Sequence, residues 1–288
     1  MSSFVDRVNI CTIGREFAAT VTAEILKKNN KSEIEIRDKL QQRIADNSQF
    51  LETGWYSPPP SGIAVLFAQK DDVKRLNFDS LRNEKNWPNS QNYLDSETIG
   101  MVYLSPVDKS SGIICDFGFT FYRGENKEIQ NHLKICLDAI EEAADYAEVG
   151  MKINDLQKNT QNIFDKNELS SGIVAQHDKT GLNFGHTIPW TFEEYTKKEL
   201  EAVKHGDMNI LKDFISHRRL YVNGVEPFKI PETIAFTLES RLVSTKKANM
   251  PDVFFHVIVS FKEGKKQIVS CYNPVFEKLG MNYIRSRF

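Results

Sequence analysis

Several features that would assign a protein class at once are absent from this chain of 288 residues. No apolar run approaches the roughly 20 residues that a membrane helix needs, so no membrane partner is expected. The N-terminal stretch MSSFVDRVNICTIGREF has neither a long apolar run nor a small-residue cleavage site, which argues against a secretory signal. The sequence therefore predicts a cytoplasmic protein.

Excess positive charge is absent as well, because the formal net charge is −2. A nucleic-acid-binding surface would require a basic stripe. The one lysine-rich patch, KEGKKQ around Gly264, is short and flanked by strand-like sequence, and it is interpreted as a solvated hairpin turn. No nucleic-acid partner is expected.

Cysteine is scarce and scattered, and no CxxC pair occurs. This pattern excludes a cysteine-based zinc site and a disulfide framework. The thiols are predicted to be reduced and buried, as is usual in a cytoplasmic protein. They are Cys11, Cys115, Cys136 and Cys271.

What is present is the composition of an ordinary soluble domain, with 40% hydrophobic and 26% charged residues. The interpretation is a single domain over residues 1–288. Apolar residues at helical spacing predict four helices. They cover residues 4–29, 32–44 with Ser32 as N-cap, 126–147, and the segment entered at Gly150 and capped by Asn154.

Strand patterns alternate with these helices. A proline run precedes the strand-like IAVLFA, and a polar stretch over about 70–97 is predicted to be a long, mobile excursion. A hairpin is predicted next, with GMVYLSPV as its first strand, DKSSG as the turn and IICDFGFTFYRG as the return strand. The second half is predicted to be mostly strand, including FKIPETIAFTLESRLV and DVFFHVIVSFKEGKKQIVSCYN.

This order of segments, over about residues 8–275, resembles the methionine aminopeptidases, Xaa-Pro peptidases and creatinase. The resemblance is carried by four stretches: KSEIEIRDKL, ICDFGFTFYRG, AEVGMKINDLQKNTQNIF and PETIAFTLESRL. It implies an α+β pita-bread fold, in which two pseudo-symmetric halves of helix pairs pack on a curved antiparallel sheet.

The resemblance also implies metal ligands, which in that family are two Asp, one His and two Glu around two divalent metals. The second Asp falls on Asp116, the His on His186 and the first Glu on Glu239. The first Asp falls on Ser105, which is not a ligand. The last Glu falls on His256, or on Phe255 if the register shifts by one residue.

Four of these positions, Asp116, His186, Glu239 and His256, make a coherent set for one divalent ion, Fe, Mn or Zn. Simpler interpretations stay open: Asp116 bracing the hairpin, His186 and His256 buried in the core, and Glu239 paired with Arg241. Glu193 falls where the family has a second histidine. Glu193 and Glu239 are the candidate general bases, with an exposed helix-start acid as the alternative for Glu193.

Three functions follow from the resemblance. The first is a metal-dependent hydrolase acting on a small amide, a short peptide or an amino-acid-like molecule. The second is a mononuclear non-haem iron enzyme that uses oxygen, since two histidines and a carboxylate are its ligand pattern. The third is a non-catalytic module that binds a peptide or partner. The resemblance implies a monomer or a homodimer and does not choose between them.

Overall fold

Antiparallel strand pairing organises the chain. The computed structural model describes residues 4–69, 71–172, 178, 180–188, 190–191 and 193–288. Within them, one seven-stranded sheet has the order β1-β2-β3-β8-β7-β4, with β9 paired to β8, and β5 and β6 pair separately. The strands are β1 (Ile63–Ala68), β2 (Ile99–Leu104), β3 (Phe117–Tyr122), β4 (Leu169–Gly172), β5 (Asn183–His186), β6 (Tyr221–Asn223), β7 (Ile234–Ser244), β8 (Val253–Lys262) and β9 (Lys265–Val269).

Helices flank this sheet, and side-chain caps mark where several of them begin. Ser32 and Glu35 form a capping box at the second helix, and Asn126 caps the third. The helices are α1 (Phe4–Leu26), α2 (Glu33–Ala45), α3 (Lys127–Tyr146), α4 (Ile153–Lys166), α5 (Lys197–His205), α6 (Met208–Arg218) and α7 (Asn273–Leu279).

The first four helices, the hairpin and the long C-terminal strands lie where the sequence predicts them. Two expectations are wrong. Asn154 does not cap α4, because that helix begins at Ile153 after Lys152, which makes no side-chain cap. The second half is also less strand-rich than expected, since α5, α6 and α7 lie there. The expected strand SGIVAQH is described only to Gly172, because residues 173–177 lie outside the described residues.

The core lies between the sheet and the helices. β1, β2 and β3 are buried at every residue, as is all of β8 except its last position. Strands covered on both faces have near-continuous apolar sequence instead of alternation. Buried polar side chains in or next to the sheet therefore need specific partners. They include Asp116, just before β3, and Glu239, in β7.

The predicted excursion is irregular but packed. Between β1 and β2 the described residues contain only short 3-10 turns, at Val73–Leu76 and Glu84–Asn86. Arg75 pairs with Glu33 of α2 at 2.7 Å and donates to the carbonyl oxygens of Lys85 and Trp87. The segment is thereby tied to α2, and its mobility stays a prediction.

Candidate active site

A cavity opens beside the central strands of the sheet. Its volume is about 80 Å³. Aromatic rings form much of the wall, and acids and arginines point into it. The lining residues are Trp55, Tyr56, Phe78, Asp79, Ser80, Leu81, Arg82, Met101, Tyr103, Asp116, His186, Arg219, Tyr221, Glu239, Arg241 and Phe254.

Three of the predicted site residues meet in this cavity: Asp116, His186 and Glu239. They come from three separate parts of the chain, and all three are at most 4% exposed. The Nε2 atom of His186 lies 3.2 Å from Oε1 of Glu239. Strand pairing thus brings one imidazole and two carboxylates to the same cavity. Asp116 and Glu239, the first and last of the three, are 123 residues apart in the sequence.

The backbone around Gly185 fixes the position of His186. Gly185 has φ of +148°, and a Cβ at that position would lie 1.9 Å from the carbonyl oxygen of Thr237 in β7. The amide of His186 then donates to Oγ1 of Thr237 at 3.0 Å. Only glycine allows this close approach of the segment to β7, so the approach sets where the imidazole points.

Hydrogen bonding sets which ring nitrogens of His186 carry protons. Its Nδ1 lies 3.0 Å from the carbonyl oxygen of Thr187, which can only accept, so Nδ1 carries a proton. Burial raises the pKa of Glu239, but the hydrogen bond from His186 and the charges of His186, His256 and Arg219 outweigh it and lower that pKa to about 2. Because Glu239 is ionised, the proton between Oε1 and Nε2 belongs to the imidazole.

Asp116 has a different environment. Burial raises its pKa, the negative charge of Glu239 adds to this, and His186 and Arg219 oppose it. The hydroxyl of Tyr103 donates to Oδ1 of Asp116 at 2.9 Å. Burial in turn raises the pKa of Tyr103 well above its usual value. Tyr103 therefore stays a donor and fixes the orientation of the Asp116 carboxyl.

His256 lies next to Glu239, but its ring nitrogens are not arranged to bind a metal ion. It pairs across the strands with Glu239, so the two side chains share a face of the sheet. Arg15, fully buried, donates to Nδ1 of His256 and to the carbonyl oxygen of Asp116. Since Nδ1 accepts, the proton of the neutral ring lies on Nε2, which faces Oε2 of Glu239 at 3.8 Å. A protonated Nε2 has no lone pair for a metal.

The other predicted positions lie apart from the cavity. The ring of Phe255 packs in the core against Tyr272, with centroids 5.4 Å apart. Ser105 is buried, and its Oγ accepts from the amide of Tyr56 at 3.1 Å. Glu193 lies on the surface, 67% exposed, and pairs with Arg218 at 2.7 Å. The structure does not bring Glu193 to His186.

These placements test the fit of a metal. Of the five family positions, Ser105 carries no ligand, and the last falls either on His256, which presents a proton, or on Phe255, which has no ligand atom. Among the residues that the structure describes, no group of three or more His, Cys, Asp and Glu is arranged to hold a metal ion. The residues as they stand do not fit the two-metal centre that the resemblance implies, and the single-ion set stays a prediction.

Comparison with known proteins identifies the family. A model of metallopeptidase family M24 matches residues 12–206, which is more than half of the chain. The chain belongs to this family. The family resemblance inferred from the sequence is therefore confirmed. Among the curated proteins, no sequence match is found. No described helix is both long and apolar enough to cross a membrane.

Solved structures confirm the fold. The dipeptidase of Pyrococcus horikoshii has a TM-score of 0.59 at 15% identity, with 92% of this chain and 60% of that chain covered. The X-Pro aminopeptidase of Thermotoga maritima has 0.56 at 12% identity, with 91% and 60% covered. The methionine aminopeptidase of Rickettsia prowazekii has 0.56 at 14% identity, with 90% and 96% covered.

This chain therefore spans about 60% of the length of the dipeptidase and the X-Pro aminopeptidase, and almost the whole length of the methionine aminopeptidase. The predicted pita-bread fold is confirmed, with its antiparallel sheet curled into a half barrel. Three site residues were missed from the sequence: Tyr103, Arg219 and Arg15. A buried arginine leaves no pattern in a sequence, so only Tyr103, in a strand-like run near Asp116, offered a signal.

Proposed function

We propose that this protein is a hydrolase that cleaves an amide bond in a small peptide-like or amino-acid-like substrate. Membership of a metallopeptidase family supports this class of reaction. The observation that carries the proposal is the buried His186–Glu239 pair, which lines the same cavity as Asp116. Amide hydrolysis requires groups that move a proton from water to the leaving nitrogen, and these three side chains are of that kind.

The proton positions suggest a division of roles. His186 holds the proton that it shares with Glu239, and it is the general acid that protonates the leaving nitrogen. Asp116, whose pKa burial raises, is the base that takes a proton from the attacking water. A carboxylate with a raised pKa is a stronger base than an ordinary one. Tyr103 orients Asp116 through its hydrogen bond.

Burial supports these roles. Asp116 and His186 are 2% and 4% exposed, and the rings of Tyr103 and Phe254 lie edge to face with centroids 6.3 Å apart on the cavity wall. A site from which most water is excluded strengthens the electrostatic interactions within it.

A second candidate keeps the single divalent ion, Fe, Mn or Zn, predicted from the sequence. The observation in its favour is the Nδ1 bond of His186 to Thr187, which is the orientation that metal-binding histidines use. Asp116, His186 and Glu239 would be its ligands, and Nε2 of His186 would release its proton on binding the ion. No observation favours the oxygen-using enzyme, because its two-histidine pattern needs His256 as a ligand.

The test is hydrolysis of a panel of dipeptides and aminoacyl amides by wild-type protein and by His186→Asn, Glu239→Gln, Glu193→Gln and the exposed control Glu232→Gln. We expect turnover to fall by about 10²–10⁴-fold in the first two variants, the usual contribution of acid–base groups. Glu193→Gln and Glu232→Gln are expected to match the wild type. Circular dichroism spectra check that each variant folds.

Metal content measured on the same samples separates the candidates. Turnover that survives chelation, with no metal bound, supports the three-residue mechanism. About one equivalent of metal in the wild type, lost in His186→Asn together with activity, supports the single-ion candidate. A wild type that cleaves nothing, or a His186→Asn variant as active as the wild type, contradicts the proposal and leaves a binding module.

A further inference from the structure

Tyr221 carries a buried hydroxyl group that the fold does not use. The residue is 7% exposed, and its Oη atom has no hydrogen-bond partner among the described residues. A buried hydroxyl without a partner costs free energy, whereas phenylalanine would fill the same space without that cost. The hydroxyl therefore adds nothing to the stability of the described structure, and its use is to be sought in the space that it borders.

Strand pairing places Tyr221 beside the proposed general acid. Tyr221 in β6 is the direct partner of His186 in β5. Residues directly opposite each other in an antiparallel pair point to the same face, with Cβ atoms about 4.5–5.5 Å apart. Both side chains accordingly line the cavity that also holds Asp116 and Glu239.

The Tyr221 hydroxyl keeps its proton. Burial raises its pKa, the positive charge of Arg219 opposes the rise, and the negative charges of Asp178 and Glu226 add to it. Because the net shift is upward, the group is a neutral hydrogen-bond donor at neutral pH. The cavity thus contains an unused donor next to His186.

Amide hydrolysis creates a charge for which such a donor is needed. Water adds to the carbonyl carbon while Asp116 takes a proton from it, and the π electron pair of the C=O bond moves to the oxygen, which becomes an oxyanion. The C–N bond then breaks as His186 gives its proton to the nitrogen, and the oxyanion re-forms the C=O bond. The proton on Asp116 finally replaces the one that His186 lost. A fixed donor aimed at the oxyanion contributes much of the rate in reactions of this kind.

We propose that Tyr221 donates a hydrogen bond to this oxyanion and is a catalytic residue of the hydrolase. The inference rests on the proposed function, because no oxyanion forms without hydrolysis. The O–H bond of the phenol stays intact, and its hydrogen bond strengthens as negative charge develops on the oxygen. A donor that binds the transition state better than the substrate meets the condition for catalysis.

Other donors in the cavity are engaged, charged or placed differently. Tyr103 already donates to a carboxylate of the site. The Nε and Nη2 atoms of Arg219 have no hydrogen-bond partner among the described residues, but a guanidinium also binds oxygens that are anionic before the reaction starts. The Nε1 atom of Trp55 is likewise neutral and unpartnered. Trp55 lies before β1, so it lacks the strand pairing that places Tyr221 beside His186.

The first test is steady-state hydrolysis of the best-cleaved dipeptide of the panel by wild type, Tyr221→Phe, Trp55→Phe and Tyr195→Phe. Tyr195 is the matched control, because its hydroxyl is also buried but the residue does not line this cavity. We expect kcat and kcat/KM of Tyr221→Phe to fall together by about 10²–10³-fold, the usual effect of removing one oxyanion donor. Tyr195→Phe should match the wild type.

Stability measured on the same samples separates catalysis from a structural role. Because the hydroxyl has no partner, Tyr221→Phe is expected to unfold at a urea concentration at least as high as the wild type does. A fall in turnover that accompanies a loss of stability would overturn the assignment. So would a large fall in Trp55→Phe together with an unchanged Tyr221→Phe, which would give the role to Trp55.

The second test needs no turnover. Isothermal titration calorimetry on chelator-treated protein compares two analogues of glycylglycine. The phosphinic analogue carries a tetrahedral phosphorus with an oxygen in place of the oxyanion, and the reduced analogue has a CH₂–NH link without that oxygen. We expect Tyr221→Phe to bind the phosphinic analogue at least about tenfold more weakly than the wild type and the reduced analogue equally well.

The outcomes distinguish this inference from the proposed function. Unchanged affinity of Tyr221→Phe for the phosphinic analogue would overturn the inference, as would a wild type that binds this analogue no more tightly than the reduced one. Normal turnover in Tyr221→Phe would also overturn it and leave the proposed function standing. A wild type that cleaves no dipeptide but binds the phosphinic analogue through Tyr221 would contradict the proposed function and leave the donor site standing.

Discussion

Two buried glutamates show how one residue type serves two purposes in this molecule. Glu33, the first residue of α2, is fully buried and accepts five hydrogen bonds. They come from the amides of Phe67 and Asn89, from Arg75 through two nitrogens, and from Asn92, over 2.6–3.2 Å. Every lone pair of this carboxylate has a partner nearby.

Glu239 is almost equally buried, at 4% exposure, but it has few partners. Among the residues that the structure describes, only Nε2 of His186 lies within hydrogen-bonding distance, since Nε2 of His256 is 3.8 Å away. The carboxylate faces the cavity. Its remaining acceptor capacity is available to whatever enters.

The difference teaches how to separate structure from function among buried charges. A carboxylate that the fold saturates stabilises the fold, because its desolvation is offset by charge-assisted hydrogen bonds. A carboxylate left partly unsatisfied in a cavity is a candidate for chemistry. Glu33 ties residues 71–98 to α2 and β1, whereas Glu239 and Arg219 await a ligand.

The largest effect is expected from breaking the saturated site. Glu33→Ala removes the only carboxylate partner that Arg75 has among the described residues and leaves two backbone amides without their acceptor. Removing one partner of a buried pair typically costs about 3–5 kcal/mol. We expect urea denaturation to show a loss of this size. Glu239→Gln is the comparison, and a smaller loss is expected because the amide oxygen of glutamine can still accept from Nε2 of His186. Equal losses for the two variants would remove the distinction.

A smaller effect is expected from Gly185→Ala, which acts on the geometry of the unsaturated site. The new methyl group would lie 1.9 Å from the Thr237 oxygen, so β5 must move away from β7. Overpacking of this kind costs about 1–3 kcal/mol. His186 moves with the strand, and hydrolysis is expected to fall more than stability. Gly264→Ala is the control for backbone strain, because Gly264 also has a positive φ, +79°, but no atom lies within 4 Å of its Cβ position.

The smallest effect is expected at Asp252, a buried carboxyl that is less saturated than Glu33. It forms an ion pair with Arg241 at 3.4 Å. Burial raises its pKa to about 6, while Arg241 opposes the rise. The folded state therefore holds the proton more tightly than the unfolded state, whose pKa is near 3.8. The wild type should lose stability relative to Asp252→Asn as the pH rises through this window, on the order of 1 kcal/mol. Urea denaturation at pH 4, 5, 6 and 7 measures the difference.

Most of the fold could be predicted from the sequence, because long elements carry strong periodicity. Helix α3 has apolar residues on one face along its 20 residues. The spacing of Ser32 and Glu35 indicates a capping box at the start of α2. The short helices α5 and α6 were missed amid strand-like sequence. One signal for α5 was present, since Thr196 and Glu199 have the spacing of a capping box and form one.

The site was predictable only in part. Family resemblance pointed to Asp116, His186 and Glu239, which the sheet does bring to one cavity. It could not show that Arg15 turns the ring of His256, because that contact joins residues 241 positions apart. Nor could it show that Arg219 faces the cavity while its neighbour Arg218 faces Glu193. Which of two adjacent side chains points inward depends on how α6 ends.

The two walls of the cavity have separate origins, and this has a practical consequence. One wall is formed by residues in the sheet or beside it, namely Tyr103, Asp116, Glu239 and Phe254. The other wall is formed by residues 78–82 of the irregular segment, which Glu33 anchors. A library that varies only residues 78–82 would change the pocket without repacking a single strand. Directed evolution of ligand preference would therefore begin there, with the anchor at Glu33 kept unchanged.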